Sequence, residues 1–336
     1  MKVSALGEFR LIDLLAKMIS DSQNKGAASY QKLIIGIGDD AAAWRGDATT
    51  QLLTTDSLFQ DVHFRLSTTP WYELGWKSLA VNLSDIAAMG GVPMYAVVAL
   101  ALPPDTEVDD VRALYQGMIE LAQRFEVAIV GGDTCQAPLV SITITVLGSV
   151  KGKDGRMLTR SAARVGEKIV VTGALGAAAA GMEMLDKRLR FDAESSGQLR
   201  RAFLQPEPRV LEGQALAKLG VRAAIDISDG LIADLKHVCD LSCVGARVEV
   251  DRIPIAPAVR AHFGERALEL ATGGGEDYEL LFTASGQVID RVKAALSCPV
   301  TTIGEIVADE PGNIVMVDAH GEPVSPAKTG WEHFIT

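Results

Sequence analysis

Apolar positions recur along the chain with two spacings, one typical of helices and one typical of strands. Residues 7–19 place apolar side chains three or four positions apart, which predicts an amphipathic helix, and a polar segment, 20–29, follows it. Short apolar runs predict strands at 33–35, 51–55, 94–102, 128–130 and 140–150. Helical spacing returns at 70–89 and 108–125, so the first half combines helices with one sheet.

A second pattern of the same kind follows residues 151–166, a segment rich in Gly, Lys and Arg without apolar periodicity. It predicts strands at 168–172, 246–250, 278–283, 301–306 and 314–317. It predicts helices at 177–185, 209–219, 231–241 and 287–296. A chain of 336 residues has the length of two domains, which we place at 1–150 and 151–336 in an α/β (α+β) fold.

The composition is that of a globular protein, with 48% apolar and 22% charged residues. The net charge of −11 disfavours nonspecific binding to nucleic acids or anionic membranes, and it would also repel a ligand that carries phosphate. A divalent cation would have to accompany such a ligand. Charged residues interrupt positions 1–18, and the apolar stretch 96–102 is too short to cross a bilayer, so we expect a cytoplasmic protein.

The four cysteines suggest one alternative site. Cys239 and Cys243 would share a face of a helix with His237 close by, as in some zinc sites. No second pair of ligands stands at a usable spacing, so we expect reduced thiols.

The most informative feature is a series of acidic residues beside Gly, Ser or Thr, where strands are expected to end or helices to begin. They are Asp39, Asp40, Asp56, Asp85, Asp133, Asp226, Asp229, Glu276 and Asp277. One interpretation is local, because Asp beside Gly is common in turns and accepts N–H bonds at helix N-termini. The other is chemical: small neighbours let a metal ion and phosphate oxygens approach the backbone, and Mg²⁺ would neutralise crowded carboxylates.

Three familiar kinds of nucleotide-binding motif do not fit this sequence. Gly36-x-Gly38-x-x-Ala41 matches the dinucleotide-binding fingerprint, but a strand is predicted where a helix is required, and Asp39-Asp40 would repel a pyrophosphate. The loop Gly-x-x-x-x-Gly-Lys-Ser/Thr and the protein-kinase motifs are missing. If the chain binds ATP, it does so by another arrangement.

Taken in chain order, the motifs resemble those of the thiamine-monophosphate kinase family over nearly the whole chain. They are Gly36-Ile-Gly-Asp-Asp-Ala, Thr54-Thr-Asp-Ser-Leu, Lys77-Ser-Leu-Ala-Val-Asn-Leu-Ser-Asp-Ile, Val130-Gly-Gly-Asp-Thr, Asp226-Ile-Ser-Asp-Gly-Leu, Gly274-Gly-Glu-Asp-Tyr-Glu-Leu and Gly330-Trp-Glu-His-Phe. The resemblance implies the two-domain fold of aminoimidazole ribonucleotide synthetase and selenophosphate synthetase. An N-terminal mixed sheet with helices would bind ATP and Mg²⁺ and form a homodimer through its strands, and a C-terminal α/β domain would complete the sites.

The resemblance also implies the reaction of ATP with thiamine monophosphate to give ADP and thiamine diphosphate. It assigns Mg²⁺ to Asp40, Thr54, Thr55, Asp56, Asp85, Asp133, Asp226 and Asp229. It assigns ATP to Tyr115, Gly132, Asp133, Arg160 and Ser228, and the acceptor to His63, Glu276 and Trp331. Without the resemblance, His63 would be interpreted as a surface histidine and Trp331 as a core residue.

The chemistry of the acceptor predicts the mechanism. A phosphate monoester has a second pKa near ~6, so its oxygen is largely ionised at neutral pH and needs no general base. We expect direct in-line transfer assisted by several Mg²⁺ ions. Two alternatives stay open: another ATP-dependent reaction of the superfamily, making aminoimidazole ribonucleotide or selenophosphate, and a nucleotide-binding dimer without turnover. No cysteine precedes Cys135, which counts against the selenide reaction.

Overall fold

The chain forms two compact units in a computed structural model that describes residues 2, 6, 8–22, 28–35, 43, 44, 46, 50–150, 157–325 and 330. Unit 1 is Met1–Ile86 with Val92–Gly155, and unit 2 is Ala87–Gly91 with Arg156–Thr336. None of the helices in these described residues has the length and hydropathy needed to cross a membrane.

Unit 1 combines helices with two sheets in its described part. The helices are α1 (Glu8–Ser22), α2 (Ala28–Lys32), α3 (Trp71–Ala88) and α4 (Val108–Arg124). The strands are β1 (Leu33–Ile35), β2 (Ala43–Trp44), β3 (Gln51–Phe59), β4 (Val92–Leu102), β5 (Ala128–Gln136) and β6 (Ser141–Ser149). Strands β1 and β2 pair with each other, and the other four form the larger sheet in the order β3-β6-β4-β5.

The larger sheet of unit 1 is mixed and has two different faces. Strands β3, β6 and β4 pair antiparallel, and β4 pairs parallel with β5. Every second residue of β6 is buried, including Ile142, Ile144 and Val146, because successive side chains of a strand point to opposite faces. The other face remains partly exposed, with Leu53 73% and Phe59 47% accessible.

Helices α3 and α4 approach each other closely at two glycines. A Cβ on Gly75 would lie 1.8 Å from the carbonyl oxygen of Leu114, and a Cβ on Gly117 would lie 1.9 Å from that of Tyr72. No larger side chain fits at either position without moving backbone atoms. This contact holds α3, the helix that carries Asp85, against the rest of unit 1.

Unit 2 contains a longer series of elements. Its helices are α5 (Ala177–Lys187), α6 (Ala193–Leu204), α7 (Val210–Leu219), α8 (Leu231–Ser242), α9 (Pro257–Phe263), α10 (Ala267–Gly273) and α11 (Gly286–Ala295). Its strands are β7 (Lys168–Thr172), β8 (Ala223–Asp226), β9 (Gly245–Glu249), β10 (Leu280–Ala284), β11 (Val300–Val307) and β12 (Ile314–Val317).

The strands of unit 2 form one six-stranded sheet in the order β12-β9-β11-β7-β10-β8. Its pairs are antiparallel except β12 with β9. Buried side chains of the sheet such as Ile169, Val171 and Leu281 share a core with Leu231 and Leu235 of α8. Strand β8 stands at the edge of the sheet, so the turn that follows Asp226 begins at that edge.

The α/β fold with a mixed N-terminal sheet is confirmed, but several local expectations are wrong. Asp56 lies within β3 and Asp133 within β5, not at strand ends, and Asp85 lies in the last turn of α3. Strands β3 and β5 are longer than predicted, because polar residues on their exposed faces interrupt the apolar pattern in the sequence. Four helices and two strands were not predicted: α2, α6, α9, α10, β2 and β8.

Replacing Gly117 tests the contact between α3 and α4. Gly117→Ala is expected to lower the free energy of unfolding by roughly 1–3 kcal/mol, because the added methyl group meets backbone atoms. Gly197 of α6 is the matched control, since a Cβ there meets nothing within 4 Å. Gly197→Ala should stabilise by about 0.5–1 kcal/mol through helix propensity. Urea unfolding of both variants measures the difference, and equal effects would contradict the described contact.

Candidate active site

In unit 1, strand β3 and helix α3 bring two acidic residues to one place. Thr54 and Asp56 point to the same face of β3, because they are two residues apart. The Thr54 hydroxyl donates a hydrogen bond to Asp85 Oδ2. The backbone N–H of Asp56 donates to Asn82 Oδ1 at 3.1 Å. Asn82 and Asp85 are one helical turn apart, so both bonds tie β3 to the same side of α3.

Asn82 is a buried support for this pair that the sequence analysis did not assign. Its side-chain amide donates to the carbonyl oxygen of Ser78 at 3.1 Å while its oxygen receives the Asp56 N–H. The residue is completely buried. Its three-residue spacing from Asp85 on a predicted helix was the signal that could have identified it.

Thr55 lies on the opposite face of the sheet from Thr54. Its hydroxyl accepts a hydrogen bond from Thr145 at 3.0 Å and donates to the carbonyl oxygen of Ile144 at 3.2 Å. Its side chain therefore does not join Thr54 and Asp85, although both threonines were assigned to Mg²⁺.

Asp133 is separated from Asp56 by the width of the sheet. It stands on β5 beside Ala99, and β6 and β4 lie between β5 and β3. Three strand spacings of about 4.8 Å put β5 roughly 14 Å from β3. Asp133 and its neighbour Gly132 are exposed. Within one chain, Asp133 therefore cannot share an ion with Asp56, contrary to the expected convergence.

In unit 2, a second group of acidic residues surrounds the turn between β8 and α8. Asp226 ends β8 and is 2% exposed, and Ser228, Asp229 and Gly230 form the turn. The Oδ2 atom of Asp234 accepts the backbone N–H groups of these three turn residues at 3.0, 3.1 and 3.0 Å. Burial, followed by the charges of Asp226 and Asp229, raises the pKa of Asp234 to about 8.

Glu276 lies beside this turn on a neighbouring loop. Its backbone N–H donates to the carbonyl oxygen of Ser228 at 2.7 Å, and the Tyr278 N–H donates to that of Ile227 at 2.9 Å. Glu276 and Tyr278 both have positive φ angles, 69° and 49°. Such angles are unfavourable for these residue types and often occur at functional sites. The structure thus places Glu276 beside the turn that carries the predicted site residues Asp226, Ser228 and Asp229.

Two carboxylates, the partly buried Asp277 and the buried Glu279, anchor the Glu276 loop. Asp277 accepts the N–H groups of Gly176 and Ala178 at 2.7 and 3.2 Å, which caps the N-terminus of α5. Burial raises the pKa of Asp277 to about 7. Glu279 accepts from Arg209 Nε at 2.7 Å and from Arg209 Nη2 at 2.5 Å, and also from the Thr172 hydroxyl at 2.6 Å. Both contacts hold the part of the loop that follows Glu276.

Arg160 stands at the other end of β8 from Asp226. The preceding residue, Thr159, forms a bridge with Ala223, the first residue of β8. Three residues of strand separate Ala223 from Asp226, which is roughly 10 Å. The Ser242 hydroxyl donates to the carbonyl oxygen of Arg160 at 2.9 Å, and the side chain of Arg160 is exposed.

Tyr115 and His63, assigned by the resemblance to ATP and to the acceptor, differ in their exposure. Tyr115 is buried in α4 between core positions, and burial raises its pKa. It lines no exposed surface of unit 1, so its contact with ATP stays a prediction without support from the geometry. His63 is half-buried in the turn after β3, and its Nδ1 accepts the Phe59 N–H at 3.0 Å.

Some predictions fall outside the described residues. Asp39, Asp40, Trp331 and the Gly36-x-Gly38-x-x-Ala41 fingerprint belong to this group. The cysteines are described, and all four are free. Cys239 lies in the core of unit 2, where burial raises its pKa to about 11, whereas Cys243 is exposed. The two thiols therefore have different surroundings.

The oxygen atoms of both groups fit the chemistry of Mg²⁺. In the part of the chain that the structure describes, no three His, Cys, Asp or Glu side chains form a metal cluster by themselves. Mg²⁺ commonly takes only one or two carboxylates and completes its shell with water and substrate phosphates, so the pair Asp56 and Asp85 is suitable. Near Asp234 the carboxylates repel one another, and a cation beside Asp226 and Asp229 would relieve that repulsion.

Comparison with known proteins identifies the family. Residues 38–150 match AIR synthase related protein, N-terminal domain, and residues 164–317 match AIR synthase related protein, C-terminal domain. Thiamine-monophosphate kinase of Escherichia coli is 39% identical over 338 residues, which cover 99% of each chain. The chain belongs to the thiamine-monophosphate kinase family.

Solved structures of thiamine-monophosphate kinases have the same fold. The enzyme from Stenotrophomonas maltophilia is 36% identical with a TM-score of 0.82, and the match covers 95% of this chain and 98% of that one. A further structure, solved in complex with AMPPCP and TMP, is 31% identical with a TM-score of 0.76 over 99% of both chains. The resemblance seen in the motifs is thus confirmed.

The pKa of Asp277 predicts a pH dependence of stability. Its ordinary value is 3.8 and its value in the fold is about 7, so the folded state binds the proton more tightly than the unfolded state does. The stabilisation from this group is therefore complete below about pH 4 and is lost as the pH rises through about 7. Over that interval, wild-type protein should lose stability relative to Asp277→Asn, as measured by urea unfolding.

The control for this experiment is Asp240 of α8, an exposed carboxylate paired with Lys236 at 2.6 Å. Asp240→Asn removes one partner of an exposed i,i+4 ion pair, so it should change the free energy of unfolding by only about 0.5 kcal/mol. Parallel pH profiles for wild type and Asp277→Asn would show that the Asp277 carboxyl is not strongly perturbed.

Proposed function

We propose that this chain transfers the terminal phosphoryl group of ATP to thiamine monophosphate, giving ADP and thiamine diphosphate. The observation that supports this most is the full-length similarity to thiamine-monophosphate kinases, including a relative that binds AMPPCP, an ATP analogue, and TMP. The carboxylate groups at Asp56 with Asp85 and at Asp226 with Asp229 fall on the motifs that carry the resemblance. The reaction takes place in the cytoplasm, as the sequence suggests.

The proposed mechanism is direct in-line transfer without a general base. The acceptor phosphate is largely ionised at neutral pH, since its second pKa is near ~6. Mg²⁺, when bound, would neutralise charge on the two anionic substrates and on the transferred group. Asp56 and Asp85 would hold Mg²⁺ in unit 1, and Asp226 and Asp229 would hold a further Mg²⁺ ion in unit 2. Glu276 would face the cationic thiazolium of the acceptor.

A homodimer would bring Asp133 of one chain close to Asp56 of the other. The larger sheet of unit 1 ends in β3 on one side and β5 on the other, and its partly exposed face carries Leu53 and Phe59. Two such sheets related by a twofold axis would cover these faces and place β5 of the partner beside β3. Asp56 points away from this covered face, so Asp133 of one chain would reach the ion site of Asp56 and Asp85 of the other around the edge strand β3.

The reaction is tested by measuring ADP with each candidate acceptor. Thiamine monophosphate with ATP and Mg²⁺ should give ADP and thiamine diphosphate in equal amounts, and EDTA should abolish turnover. Selenide and the open-chain precursor of aminoimidazole ribonucleotide should give none. Product formation with either of these would replace the proposal by another reaction of the superfamily. Tight ATP binding without turnover on any acceptor would leave a nucleotide-binding dimer.

The shared site is tested by mixing inactive variants. Asp56→Asn, Asp85→Asn and Asp133→Asn should each abolish turnover and keep a wild-type circular dichroism spectrum. Subunit exchange between Asp56→Asn and Asp133→Asn should restore about one quarter of wild-type activity, because each mixed dimer contains one intact site.

The matched control mixes Asp56→Asn with Asp85→Asn. These residues belong to the same chain's half of the site, so every site in the mixed dimer keeps one lesion. The mixture of Asp56→Asn with Asp85→Asn should therefore stay inactive after subunit exchange. Recovery in this control, or its absence in the Asp56→Asn and Asp133→Asn mixture after proven exchange, would contradict the composite site.

A further inference from the structure

A carboxylate without an assigned role controls the turn between β8 and α8. Asp234 is 2% exposed, and a single oxygen of its side chain receives the N–H groups of Ser228, Asp229 and Gly230. Its own N–H donates to the carbonyl oxygen of Gly230 at 3.0 Å. These bonds fix the backbone on which the Asp226 and Asp229 carboxylates stand.

Successive backbone N–H groups of a turn, such as the three that Asp234 accepts just before α8, can bind an anion when no other acceptor occupies them. The N-cap residue of α8, Gly230, has no side chain that could accept them. Asp234 accepts them from within the first turn of α8. A phosphate group therefore finds no available donor among these three N–H groups, and the neighbouring carboxylates make the turn electronegative.

We propose that Asp234 is a positioning residue that makes this turn a cation site. By occupying the three N–H groups, it prevents a phosphate from binding there directly, and it holds Asp226 and Asp229 in one orientation toward Mg²⁺. Asp234 is not itself a ligand in this proposal: its Oδ2 accepts the three backbone N–H groups, and its role is to hold the turn. The inference rests on the proposed function, since the ion is the one that accompanies ATP.

The same carboxylate also influences the neighbouring loop. Ser228 and Ile227 accept the N–H groups of Glu276 and Tyr278 at 2.7 and 2.9 Å. A displacement of the turn would therefore move Glu276 as well. Loss of Asp234 should weaken the binding of the metal ion and of the acceptor together.

Metal binding provides the test, with Mn²⁺ as the probe and the electron paramagnetic resonance signal of free Mn²⁺ as the readout. The titration is done with AMPPCP and without acceptor, in an Asp85→Asn background that leaves only one carboxylate of the unit 1 pair. Asp234→Asn should weaken Mn²⁺ binding by about 10- to 100-fold, as when the outer-shell partner of a metal ligand is removed. Asp240→Asn, on the same helix, should leave it unchanged.

A second measurement separates positioning from a general structural role. Asp234→Ala leaves three N–H groups without the carboxylate, so it should bind inorganic phosphate more tightly than the background protein when no metal is present. A variant that is only destabilised would bind both Mn²⁺ and inorganic phosphate more weakly. If Asp234→Ala does not fold, the Mn²⁺ affinity of Asp234→Asn alone decides whether Asp234 positions the turn.

The inference is overturned if folded Asp234→Asn binds Mn²⁺ as the background does, or if binding falls only in proportion to the unfolded fraction seen by circular dichroism. Its failure can be distinguished from failure of the proposed function, because the titration needs no turnover. Absent turnover in wild type, together with weakened Mn²⁺ binding in Asp234→Asn, would reject the kinase proposal alone. Normal turnover in wild type with unchanged Mn²⁺ binding in Asp234→Asn would reject the positioning role alone.

Discussion

Repulsion between carboxylates is the constraint on which both candidate site groups depend. Like charges can be held close together only where donors or cations face them, and this chain already has a net charge of −11. The fold supplies donors to the inner members of each group. A hydroxyl group faces Asp85, and three backbone N–H groups face Asp234. In the proposed reaction, cations that arrive with the anionic substrates would offset the remaining repulsion.

Sheet geometry sets a second constraint. Side chains alternate between faces, so the adjacent residues Thr54 and Thr55 cannot serve the same side of the sheet. The strand order places Asp133 at the opposite edge from Asp56. The proposed ligands are thus divided within one chain, and the proposed dimer would reunite them. Its proposed contact surface is the partly exposed face that carries Leu53 and Phe59.

Features of the fold that depend on apolar periodicity or on sequence motifs could be predicted from the sequence. The α/β class, the family and long helices such as α3 and α4 followed from apolar spacing and from residues near Asp85 and Asp226. Strand β8 was missed because four residues carry too little alternation. The role of Asp234 was missed because it depends on a turn that points three N–H groups at one oxygen. Tyr115, whose assignment to ATP came from the resemblance alone, is buried in unit 1, so that assignment stays a prediction.

The positions of the metal ions test the central claim most directly. A crystal of the protein grown with AMPPCP, thiamine monophosphate and Mn²⁺ would locate them by anomalous scattering. The account predicts anomalous peaks within coordination distance of Asp56 and Asp85, with Asp133 of the partner subunit at the same cluster, and another beside Asp226 or Asp229. Both substrates bound with no peak near these carboxylates would contradict it.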